Sequence, residues 1–136
     1  MSTGLMHLHH YLPFLFFIVL ILSIVRAGLN KIPNVKKDIF LTLTLIFAHI
    51  QLLLGFVLLI PMATAANWSA VMGSTDARFV LLEHPLMMLI GVILITVGKV
   101  KAKKIEDVAK ANKTIFAYFI VAFVLIALRT PWDKLF

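Results

Sequence analysis

The chain contains no cysteine. That excludes disulfides, iron–sulfur clusters, thiolate-bound metals and haem attached covalently through a Cys-x-x-Cys-His sequence. Charge is also scarce. Only 14% of the residues are charged and 62% are hydrophobic, whereas a soluble domain has about 25% and about 45–50%. Acidic side chains are the rarer kind of charge, six against thirteen lysines and arginines. No Lys or Arg precedes the first apolar run, and the first, Arg26, follows it. The charged n-region of a cleavable signal peptide is therefore missing, and the run is expected to remain as a helix. These scarcities leave one class: residues 1–136 form a single integral membrane domain.

What is present is four long apolar runs, roughly 11–29, 39–62, 79–97 and 115–128. A helical span needs about 17–25 mainly apolar residues. The first three runs meet this, and the fourth does so if Lys113 and Arg129 snorkel. Continuous runs of this length exclude a transmembrane β-barrel. The expected fold is all-α, a transmembrane four-helix bundle with up-down-up-down connectivity.

The net charge of +7 raises the question of nucleic acid, but no nucleic-acid-binding signature is present. The cations instead sort by connection. Arg26, Lys31, Lys36 and Lys37 lie in the first. Lys99, Lys101, Lys103, Lys104, Lys110 and Lys113 lie in the third. Arg78, Arg129 and Lys134 are the only ones left for the other side. The positive-inside rule then places both termini and the second connection away from the cytoplasm. The expected location is the bacterial inner membrane, with multiple passes.

The five histidines are distributed in the opposite sense. His7, His9 and His10 precede the first run, His49 lies inside the second, and His84 opens the third. All fall in the non-cytoplasmic half or near the midplane. An ionisable residue at membrane depth is costly and usually faces a protein interior. Neutral imidazole also ligates haem iron and many transition metals. By depth, His84 with His9 or His10 forms a height-matched pair of metal ligands. His49 lies roughly 8–10 Å deeper by the rise per residue. It is either a ligand reached by helix tilt or an interhelical hydrogen bond. His7 extends the His10 stripe one turn outward. His84, Gly91 and Gly98, spaced by seven, share a stripe where a neighbouring backbone or a flat macrocycle can approach.

Pro85 suits the first turn of a helix, which places Glu83 near its positive end and makes it a candidate orienter of the His84 ring. Arg78 and Arg129 either snorkel to the interface or pair with haem propionates through their bidentate geometry. No nucleophile–base pair or phosphate-cradling loop appears, so an electron carrier or subunit is expected rather than an enzyme.

Thr3-Gly4-Leu5-Met6-His7-Leu8-His9, Ala48-His49-Ile50-Gln51-Leu52-Leu53-Leu54-Gly55, Arg78-Phe79, Glu83-His84, the Gly98–Lys104 run and Pro131-Trp132 together resemble a known family. It is a family of small four-helix membrane proteins from Bacteroidetes-type bacteria, commonly labelled "cytochrome B". The resemblance spans nearly the whole chain and carries over to His7, His9, His49, Glu83 and His84. His10 departs from it, since a small polar residue is expected there. The resemblance implies haem b and electron transfer. The expected partners are the lipid bilayer and a quinol or a larger respiratory or membrane complex, with an oligomer open. Two other readings remain: a cofactor-free accessory subunit, and a divalent-metal site using the histidines and Glu83.

Overall fold

In the computed structural model, which describes residues 3–135, four helices are long and apolar enough to cross a membrane. They assemble as an all-α four-helix bundle, and no strand occurs among the described residues. The first is α1 (Thr3–Gly28) and the second α2 (Ile39–Ala65). Two short helices, α3 (Trp68–Gly73) and α4 (Thr75–Arg78), lead into a π-helical turn at Phe79–Glu83 and then α5 (His84–Ala102). The fourth long helix is α6 (Val108–Leu128), and α7 (Trp132–Leu135) follows it.

All four long helices reach beyond their apolar runs. Helix α6 starts at Val108 rather than near Ile115 because Asp107 caps it, its side chain accepting from the Lys110 N–H. That cap satisfies one of the donors a helix start leaves free. Helix α1 starts at Thr3, so His7, His9 and His10 are helical rather than a loose tail. The third span is continuous from Thr75 to Ala102 but is not regular. Pro85 has no N–H to give the Leu81 carbonyl, so the α-pattern is interrupted there. The His84 N–H bonds to the Phe79 carbonyl instead, five residues back.

Helix α1 packs on α2 and α6, and α5 packs on the same two. Helices α1 and α5 therefore stand at opposite corners. Contacts between α5 and α6 run in opposite order along the two helices. Gly98 meets Tyr118, Gly91 meets Ile126 and His84 meets Arg129. The core is apolar, with Leu20, Ile95, Ile115 and Phe119 fully buried. The outward faces are apolar too, with Ile46, Ile50, Leu53 and Val57 of α2 exposed, as lipid contact requires. The Gly91–Gly98 stripe admits α6 and not a cofactor. A Cβ on either glycine would lie 2.5 Å from Ile126 or Tyr118.

The lysine-rich end is closed by polar locks. Asn112 is buried and holds Ile32 by both backbone groups, accepting its N–H at 3.0 Å and donating to its carbonyl at 2.9 Å. Lys99 Nζ donates to the Val35 carbonyl at 2.7 Å. Arg26 grips Asp38 through two hydrogen bonds, 2.9 and 2.6 Å. Burial pushes the Asp38 carboxyl up, but hydrogen bonds from Arg26 and the Leu41 N–H, with the charges of Arg26 and Lys99, outweigh it and hold it below the usual range.

Two outcomes follow. Gly98→Ala is expected to destabilise by about 1–3 kcal/mol, the range for overpacking a tight core. It should exceed Gly91→Ala, because the Tyr118 Cβ is fixed to its backbone whereas the Ile126 atoms are the end of a side chain. Thermal unfolding in detergent checks the order. Asp38, whose carboxyl is depressed in the folded state, stabilises the protein above the ordinary carboxylate value, and that stability is lost as pH falls through its folded value. Asp38→Asn should therefore unfold about 1–3 kcal/mol more easily at neutral pH. It should also lose part of the acid dependence seen in unfolding curves collected from neutral to low pH.

Candidate functional site

An apolar cavity of about 370 Å³ lies between all four long helices, at the end away from the lysine-rich connections. Cofactor and ligand sites typically fall at about 300–1,000 Å³. His9 and His10 of α1, Gln51 and Gly55 of α2, His84 and Met88 of α5, and Ile126 and Thr130 beside the end of α6 line it. His9 and His84 thus reach one cavity from opposite corners of the bundle.

His84 is anchored by a helix end. The last carbonyls of a helix have no partner within it. Arg129 caps α6, and its carbonyl accepts the His84 Nδ1–H at 2.6 Å. A carbonyl can only accept, so Nδ1 carries the proton and, in the neutral ring, Nε2 keeps its lone pair. Metal-ligating histidines commonly have their second nitrogen fixed in this way.

His9 is held differently. Pro13 lies inside α1 and cannot donate back to the His9 carbonyl, the acceptor its N–H would have used. The Gln51 Nε2 donates to that carbonyl instead, at 2.7 Å across the α1–α2 interface. The ring then lies over Gly55, where a Cβ would sit 3.3 Å from its Cε1. Two polar atoms here are buried without a partner, His9 Nδ1 and the Gln51 Oε1. Sequence reading passed over Gln51. The signal was Pro13, which orphans one carbonyl at the depth of a polar side chain on the next helix.

The other candidates lie elsewhere. His49 is exposed on the outer face and does not line the cavity, although its neighbours Ala48, Gln51 and Leu52 do. Its Nδ1 donates to Leu45 O within its own helix at 2.7 Å. Its Nε2 makes only a 3.5 Å contact to the Thr96 hydroxyl of α5, which itself donates to Val92 O at 2.8 Å. His7 is exposed and stacks on Tyr11 with ring centres 6.1 Å apart. His10 lines the cavity beside His9. Arg78 and Arg129 converge on Glu83. The Arg78 Nε donates to its Oε2 at 3.1 Å and the Arg129 Nε lies 3.4 Å from Oε1. Glu83 is thus the clamp between two arginines, while the partner of the His84 ring is a backbone carbonyl. Among the described residues no group of three or more His, Cys, Asp or Glu converges as a metal site.

Glu83 is about one-third exposed and its arginines slightly more so, so each pair is worth about 0.2–1 kcal/mol. Glu83→Ala removes both pairs at once. It should lower the unfolding temperature more than Arg78→Ala does, in the same detergent and at low salt. No protein-family model, curated protein or solved structure matches this chain.

Proposed function

We propose that the protein is a b-type cytochrome-like electron carrier, or a subunit of one, in a bacterial inner membrane. In this reading His9 and His84 hold haem in the cavity. One observation carries it: two imidazoles from diagonal helices border a single apolar cavity, and one already has its Nδ1 fixed by a carbonyl. The donor set fits the group, since it offers two nitrogen ligands from opposite walls and an apolar surround. A haem held there supplies one-electron redox chemistry.

The residues of the chain do the rest. His84, tethered to the end of α6, presents Nε2 at a fixed angle. The apolar walls give the site few polar groups to hold water. Arg78 and Arg129 stand at the same end of the bundle, where their positive charge favours anionic groups at the membrane surface. The opposite order of contacts along neighbouring helices supports an up-down-up-down path. The lysine asymmetry supports placing both termini, and the cavity with them, on the non-cytoplasmic side. A quinol in the bilayer, or a larger respiratory complex, is the partner class this placement suits.

A second reading, a cofactor-free accessory subunit, draws on His49. The residue stands on an outward face and its Nε2 has only the long Thr96 contact, a want that another membrane helix would meet.

A reduced-minus-oxidised optical spectrum of protein purified from haem-supplied cells separates the two. The cytochrome reading requires Soret and alpha bands in the wild type. His84→Ala should abolish them or convert them to a five-coordinate form, and His49→Ala should leave them unchanged. A wild type with no such bands rejects it.

A further inference from the structure

We infer that Gln51 is the positioning residue of His9, setting which ring nitrogen carries the proton. The inference rests on the cytochrome reading for its purpose but not for its geometry.

Gln51 touches His9 at one point and is incomplete at another. Its Nε2–H is spent on the His9 backbone carbonyl at 2.7 Å, the carbonyl that Pro13 leaves without a helical donor. Its Oε1 is buried and has no partner, and the His9 Nδ1 is likewise buried with none. Leaving a buried polar atom without a partner is costly, and two such atoms stand beside one cavity. The two are complementary: a carboxamide oxygen only accepts, and an imidazole nitrogen donates when protonated. They become satisfied together if Nδ1 carries the proton and gives it to Oε1, directly or through one bridging water.

The consequence is a tautomer. A proton on Nδ1 leaves the lone pair on Nε2, as the Arg129 carbonyl does for His84. Both walls of the cavity then present the same nitrogen, one fixed by a helix end and the other by Gln51. Gly55 belongs to the same device. It is one helical turn beyond Gln51, and a side chain there would press on the ring at Cε1.

The test is the ¹⁵N spectrum of histidine-labelled full-length protein in nanodiscs at neutral pH, without added haem. The His9 signals are identified by their loss in His9→Phe. The wild type should show His9 protonated at Nδ1. Gln51→Leu loses both contacts and should shift the ring toward the Nε2-protonated form or a mixture. Gln51→Glu keeps an acceptor oxygen but, as a carboxylate, cannot donate to the His9 carbonyl, and should retain the wild-type tautomer. If the wild-type ring is protonated at Nε2, or if Gln51→Leu leaves the tautomer unchanged, the inference is overturned. If Gln51→Glu behaves as Gln51→Leu does, Gln51 acts only on the backbone, and the inference is again overturned. Absence of haem bands in the wild type would reject the cytochrome reading without touching this result.

Discussion

A helix in lipid must satisfy every backbone polar group from within the protein, because no water is there to do it. Much of this bundle's polar architecture follows from the places where that rule is hardest to meet. Pro13 deprives one carbonyl of its donor, and Gln51 crosses the interface to replace it. Helix α6 ends with a free carbonyl, and His84 fills it. The first connection has a bare N–H and C=O at Ile32, and Asn112 takes both. In each case a polar side chain is held firmly because a backbone group had no other partner. Two of these three side chains border the cavity.

The two ends of the bundle use this constraint differently. At the lysine-rich end, Asn112 and Lys99 fasten the first connection to α6 and α5, and the Arg26–Asp38 pair ties the end of α1 to the cap of α2. Those contacts are mostly complete and leave little free chemistry. At the other end the contacts leave polar atoms over: the second nitrogen of His84, the Nδ1 of His9 and the oxygen of Gln51. The segregation of lysines from histidines along the chain is thus also a segregation of fastening from reactive capacity.

Much of this was legible in the sequence. Four apolar runs gave the four helices, since a run of that length has few alternatives. The height match of His84 with His9 or His10 came from counting residues along spans, and both of those α1 histidines do border the cavity with His84. The facing of single residues was less legible. An imidazole in lipid is costly, and His49 is expected as a ligand reached by tilt or as an interhelical hydrogen bond; it stands on an exposed face with a 3.5 Å contact to Thr96 of α5. Its own helix offers a carbonyl, at Leu45, that lowers this cost without a neighbour. The arginines are expected to snorkel or to pair with haem propionates, whereas Glu83 claims both. Periodicity could not reveal this, because the helix between Arg78 and Glu83 is not of α-type.

That π turn amounts to one extra residue stored in a helix. Each residue of an α-helix turns the chain by about 100°. Residues five apart on a regular α-helix therefore stand about 140° apart, whereas across this turn Arg78 and Glu83 pair. The insertion thus works as a phase shifter between the membrane core and its outer rim, and the length of this segment is as much constrained as its composition.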